Sequence, residues 1–160
     1  MGAHTVGIVA ASLALAADQS SKAAALAHAD ALAGGVTVLP GFDLVLGRND
    51  GVAFGLLGGV GPWALAGLAA VIVGWLVLAM VRAERRRDAA AYGAVIGGAL
   101  GNVVDRLRHG AVTDFLDFHV GDWHWPAFNL ADVAVVCGVA AIVLFGWTAP
   151  RRPEAASGKP

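Results

Sequence analysis

Four apolar stretches divide the chain, and each has a polar end or a polar neighbour. The first runs from Thr5 to Ala17 and keeps helical spacing through the polar "DQSSK" to about residue 29. The second is "PWALAGLAAVIVGWLVLAMV". The third begins at Ala89 and takes in its polar end, "GNVVDR". The fourth closes the pattern around 129–149. A helix needs about 20 residues to cross the hydrocarbon core, within a range of about 17–25. The pattern therefore predicts four transmembrane helices, over residues 5–29, 62–81, 89–106 and 129–149. Between the first and second the period changes. "VTVL" and "FDLVL" are short β-like runs split by Pro40 and Gly41, which predicts a small extracytoplasmic sheet about residues 36–57. No other segment has a strand pattern. Residues 107–128 are expected as a loop lying on the bilayer, with Trp123 and Trp125 as interfacial anchors.

Composition supports that class. The chain is 58% hydrophobic and 14% charged, against roughly 25% charged in a soluble domain. Its 22 glycines suit helices whose backbones approach closely in lipid. A net charge of −1 gives no reason to expect a nucleic-acid partner. The single Cys137 lies in an apolar run, which excludes a disulfide within the chain and predicts a buried thiol.

Basic residues set an orientation. Arg82, Arg85, Arg86, Arg87, Arg151, Arg152 and Lys159 lie on one side of the predicted spans, and Lys22, Arg48, Arg106 and Arg108 on the other. Seven against four places both termini, the middle connection and the tail at 151–160 in the cytoplasm. A cleaved signal peptide would be the rival reading of the first run, where "ALA" resembles a cleavage site. No Lys or Arg precedes that run, however, and the polar residues after it keep helical spacing.

Ionisable groups in or beside spans are costly, and are functional candidates for that reason. Four clusters fall on the outer side. In "DQSSK", Asp18 and Lys22 are one helical turn apart and can pair; the plainer alternative is a snorkelling ion pair at a helix end. In "NDGVAFG", Asn49 and Gly51 suggest a turn whose backbone approaches something closely, or an ordinary glycine loop. In "GNVVDR", Asn102 and Asp105 share a helix face beside Arg106. In "FNLAD", Asn129 and Asp132 repeat that spacing, and Asn129 could serve as an N-cap. Asp117 and Asp122 are expected to be solvated loop acids.

Two carboxylates close together in a low-dielectric site share a proton. The charged one can take a proton from water while its neutral partner donates to the scissile group. Serine or cysteine hydrolysis is poorly served, because Cys137 and the serines lie in spans, at a helix end or in the tail. His109, His119 and His124 do not form a helical zinc-binding pattern, so no metal is expected.

"DQSSK", "NDGVAFG", "GNVVDR", "GAVTDF" and "FNLAD", in that order over about residues 6 to 148, resemble bacterial lipoprotein signal peptidase, also called signal peptidase II. The resemblance implies a single membrane-embedded aspartic endopeptidase domain over 1–150, with four transmembrane helices and a small extracytoplasmic β-sheet between helices 1 and 2. It implies that prolipoproteins already carrying a diacylglyceryl Cys are cut on the N-terminal side of that Cys, near the outer membrane face. Carried over motif by motif, the catalytic pair is Asp114 and Asp132. Asp18, Lys22, Asn49, Gly51, Phe54, Asn102, Asp105, Arg106, Asn129 and Ala131 would bind substrate or support the site. No cofactor is implied, the partners are the lipidated precursor and membrane lipid, and a monomer is expected. The family commonly has Ser after the Phe of its second motif, where this chain has Gly55. A proton-coupled transporter would want midplane acids and an internal repeat, and a non-catalytic membrane protein would not need four polar clusters; both are weaker readings.

Overall fold

The computed structural model describes residues 1–50 and 62–147. Helices dominate: α1 (Ala3–Ala27), the single turn α2 (Ala29–Leu32), α3 (Pro62–Val81), α4 (Arg86–His109) and α5 (Leu130–Trp147). The strands are β1 (Val36–Leu39), β2 (Phe42–Asn49), β3 (Val112–Val120) and β4 (Trp123–His124). The four apolar runs became the four long helices, with shifted ends. The first stops at Ala27 instead of 29, and the third extends beyond both ends of 89–106. Gly51, Phe54, Gly55, the rest of the β-like stretch beyond residue 50 and the tail lie outside the described residues.

The strands form one antiparallel sheet in the order β1-β2-β3-β4. This corrects the sequence reading of residues 107–128, because β3 and β4 lie within the expected loop. The sheet is also not confined to the connection between the first two long helices. β2 pairs with β3, setting Asn49 opposite Val112 and Gly47 opposite Asp114, and the register shifts between Leu44 and Gly47. The turn into β3 is made by Gly110, which caps α4 in the left-handed conformation at φ 74°. Its N–H donates to the Arg106 carbonyl at 3.0 Å, a geometry glycine adopts without a Cβ penalty.

α4 is the central helix, touching α1, α3 and α5. Glycine permits this closeness. A Cβ at Gly93 would overlap the Gly7 carbonyl of α1, and one at Gly98 the Ala131 carbonyl of α5. Leu76, Met80, Ala89, Val95 and Ile96 form one apolar core, while Ala25, Leu32 and Phe115 form another under the sheet.

Polarity is inverted relative to a water-soluble bundle. Ile8, Leu13, Val71, Trp75, Leu78, Val136 and Leu144 face outward, whereas Asp18, Lys22, Asp105 and Asn129 are buried. Cys137 is exposed as well, which corrects the expectation of a buried thiol. Its neighbour Gly138 occupies the stripe of α5 that meets Ala91 and Val95, so the next position turns away. Among the described residues, no helix is long and apolar enough to cross a membrane.

Candidate active site

The site grows from two layers of polar side chains. In the deeper layer, Asp18 and Lys22 are 0% and 2% exposed and pair at 3.0 Å. This is a buried pair and not a snorkelling one. Lys22 also meets Asp105 of α4 at 3.3 Å and donates to Asn102 Oδ1 at 2.9 Å. A buried cation survives desolvation when its partners are this complete. Asp18 Oδ1 accepts the Ala131 backbone N–H at 2.9 Å, and Asp105 Oδ2 accepts that of Thr113 at 2.9 Å. One ionic cluster thus locks α1 to α4, to the start of α5 and to β3.

Gln19 and Thr113 enter this layer without having been singled out from the sequence. Gln19 Nε2 reaches Asp18 Oδ2 at 3.1 Å and Asp105 Oδ1 at 3.1 Å. The available signal was a further polar residue inside "DQSSK", on a helix that is otherwise apolar there.

The upper layer holds Asp114 on β3 and Asp132 in the first turn of α5. Asn129 and Asp132 close a capping box. Asn129 Oδ1 accepts the Asp132 N–H at 3.1 Å, and Asp132 Oδ2 accepts the Asn129 N–H at 3.2 Å. Each satisfies a helix-start N–H that would otherwise lack a partner. The Asn129 Nδ2 donates to Asp114 Oδ1 at 2.6 Å and to Asn102 Oδ1 at 3.2 Å. Asn102 Nδ2 donates to Asp132 Oδ1 at 2.9 Å, and Asn49 Nδ2 to Asp114 Oδ2 at 3.1 Å. Burial pushes the Asp114 carboxyl up to about 6, with the Asn129 and Asn49 donors opposing; the neighbouring Asp132 adds to the rise and Lys22 opposes it.

Asn49, Asn102, Arg106, Asp114 and Asp132 line one cavity of ≈ 1400 Å³. Phe118, Trp123, Trp125, Phe128, Val133 and Val136 supply much of its apolar wall. Asp18, Lys22, Asp105 and Ala131 lie behind it. Gly51 and Phe54 lie outside the described residues.

One further acid differs from its sequence reading. Asp117 is buried on β3 and accepts from His124 Nδ1 at 2.7 Å, so it is not a solvated loop acid. Across the sheet, Asp43 meets His119 at 3.5 Å, and the rings of His119 and His124 stack with centroids 4.9 Å apart. Among the described residues, no three His, Cys, Asp or Glu side chains are grouped as metal ligands.

Comparison with known proteins agrees with the motif resemblance. The sequence model of the family described as Signal peptidase (SPase) II matches residues 10–148. A lipoprotein signal peptidase of Serratia proteamaculans (strain 568) is 47% identical over 125 residues, covering 75% of this chain and 74% of that one. One from Yersinia pestis (strain Pestoides F) is 46% identical over 138 residues, covering 83% and 81%. Two bacterial membrane enzymes solved by the in meso method share the fold. One has a TM-score of 0.79 at 27% identity, covering 92% of each chain. The other has a TM-score of 0.78 at 26% identity, covering 90% of this chain and 94% of its own.

Proposed function

The chain belongs to the signal peptidase II family, and from that premise we propose that it is an intramembrane aspartic endopeptidase with Asp114 and Asp132 as its catalytic dyad. Its substrates are prolipoproteins whose lipobox Cys carries diacylglycerol. It cuts on the N-terminal side of that Cys, and the signal peptide leaves. The observation that carries the reading is the binding of both carboxylates to one residue, Asn129, which donates its backbone N–H to Asp132 and its side-chain amide to Asp114, with both acids at the wall of a single large cavity.

A dyad with one proton activates water on its charged member and donates from its neutral member. No step needs a nucleophilic Ser or Cys. Arg106 lines the same cavity and lies within electrostatic reach of Asp105, Asp114 and Asp132. A guanidinium there suits a peptide carbonyl of the substrate. Asn49 and Asn102 hold the carboxylates, and the Asp18–Lys22–Asp105 cluster holds the elements that carry them. Gly51 and Phe54 complete the substrate side by their motif positions.

The setting is a bacterial cytoplasmic membrane, multi-pass, crossed by the four long helices, with both termini cytoplasmic and the dyad near the outer face. Support comes from the outward-facing Leu, Ile and Val side chains around a charged interior and from the arginines between α3 and α4. Acyl chains hold the substrate Cys in the bilayer at roughly 0.8 kcal/mol per buried CH₂, bringing the scissile bond to the depth of the site. The enzyme works as a monomer, without a cofactor.

The test is cleavage of lipidated and unlipidated precursor by purified enzyme. The lipidated form is cut by the wild type and not by Asp114→Asn or Asp132→Asn, both of which remain folded. Full processing by either variant removes the dyad reading. Equal cleavage of the unlipidated form removes the lipid requirement.

A further inference from the structure

We propose that Gly47 is a specificity-determining position: its missing side chain leaves a slot beside Asp114 that takes the side chain of the residue preceding the lipidated Cys. This inference rests on the dyad reading above and adds the size limit of one substrate position.

Gly47 is half-buried on β2, directly opposite Asp114 in the β2–β3 register. Residues directly opposite in an antiparallel pair hold their side chains on the same face. That face is the cavity wall, which Gly47 and Asp114 both line. Asn49 follows at the strand period of two, so it shares this face, and it donates to Asp114 Oδ2. A Cβ at Gly47 would meet the Asp114 carbonyl oxygen at 3.5 Å, the Asp114 Cβ at 3.9 Å and the Ala127 Cβ at 4.0 Å.

Nothing in the strand asks for glycine here. Among the described residues, positive φ belongs to Gly35, Gly41, Gly110 and Gly121, and not to Gly47. The register shift that precedes Gly47 does not require it either, because the glycine form of a β-bulge needs a left-handed residue. Packing gives no reason, since the three contacts above are ordinary van der Waals distances. Gly93 and Gly98 differ, because a Cβ there would overlap a carbonyl of the neighbouring helix. A glycine inside a strand weakens it, and often marks a place where a ligand comes close.

The neighbouring rows of the same face are filled across the strands. Leu116 stands opposite Leu44, and Phe118 opposite Phe42 with ring centroids 5.0 Å apart. The Asp114 row has no such partner. Ala127, just before the bridge from Phe128 to Leu116, adds only a methyl group. The result is a slot one side chain deep, walled by carbon, beside the carboxyl that does chemistry.

The substrate residue that fills it follows from the reaction. The carbon attacked by water is the carbonyl of the residue preceding the Cys, and that residue's Cα is one bond, about 1.5 Å, away. Its side chain therefore lies against the wall beside the dyad. The Cys carries its acyl chains, which need the longer apolar wall that includes Val133 and Val136. A slot of one side chain cannot hold them. Gly, Ala and Ser fit it, and each carbon added at position 47 takes away room.

The test gives purified enzyme lipidated precursors that differ only in having Gly, Ala or Ser before the Cys. The wild type should process all three at similar kcat/KM. Gly47→Val should raise the kcat/KM ratio of the Gly precursor over the Ala precursor at least roughly tenfold, the scale of a one-carbon mismatch in a pocket. Gly47→Ala should move the ratio the same way by less. Its methyl meets only ordinary contacts, so it serves as the test where Gly47→Val does not fold. An unchanged ratio in a folded variant, or an equal loss on all three precursors, overturns the proposal. So does discrimination that appears only at the residue two before the Cys. Processing by Asp114→Asn or Asp132→Asn would instead remove the dyad itself, so the two failures are distinct.

Discussion

Asn129 donates its side-chain amide to Asp114 across 2.6 Å, tying the first turn of α5 to β3. The same residue caps α5 through Asp132, so one side chain sets both the helix start and the spacing of the two acids.

Asn129→Ala should therefore cost more activity than stability. Loss of a cap costs about 1 kcal/mol, and the helix is otherwise well packed. Processing should fall at least roughly 100-fold, as displaced catalytic groups commonly cause. Thermal unfolding and cleavage of lipidated precursor, measured on one preparation, separate the two effects. A large loss of stability with normal turnover of the folded fraction would show the residue to be structural alone.

Lys22→Met leaves Asp18 and Asp105 buried without their cation. Removing one partner of a buried ion cluster costs about 3–5 kcal/mol. Adding Asp18→Asn and Asp105→Asn should recover part of that loss, because the neutral amides need no counter-charge. Denaturant unfolding in detergent measures both steps; an unchanged midpoint for Lys22→Met would show that the cluster contributes little.

Asp114 gives stability a pH dependence of known sign. Its folded carboxyl is raised to about 6, above an unfolded value near 3.9. The folded state therefore binds the extra proton between roughly pH 4 and 6. Stability is fully present below that window and falls as pH rises through it. Asp114→Asn should flatten this decline and be more stable than the wild type above pH 7, while inactive. A wild-type midpoint that climbs between pH 4 and 7 would contradict the raised value.

Gly93→Ala should force α1 and α4 apart, because its Cβ would overlap the Gly7 carbonyl and press on Ala10. Backbone atoms cannot step aside as a flexible side chain does. We expect a cost of about 1–3 kcal/mol, typical of overpacking, and reduced activity because α1 carries Asp18 and Lys22. Unchanged stability would mean that the helices are less tightly apposed.

Asp117→Asn should weaken the β3–β4 hairpin by about 1 kcal/mol through its contact with His124, and should still process lipidated precursor. Asp117 and Asp114 are both buried acids on β3, yet Asp114 lines the cavity and Asp117 does not. Loss of cleavage in a folded Asp117→Asn protein would place it in the site.

The positions of the four long helices were legible in the sequence, because apolar spacing is a local property carried within each segment. Among the polar residues at the cavity, Asn102, Arg106 and Asp132 stood out because polar side chains beside apolar runs are costly, whereas Asp114 was marked only by the motif resemblance. Strand β3 was not legible. "VTDFLDFHV" does not alternate cleanly, and its pairing depends on β2, which lies more than sixty positions earlier. Strand formation reflects cross-strand packing more than intrinsic preference, so no reading of residues 107–128 alone could have found it. Tertiary structure also decided that Cys137 faces outward, that Asp117 is buried against His124, and that Gln19 joins the ionic cluster. By itself the sequence determined which segments are helical and which groups are too polar to be idle. Only the fold decided which acids face each other and which donors each one meets, because those facts belong to contacts between distant segments.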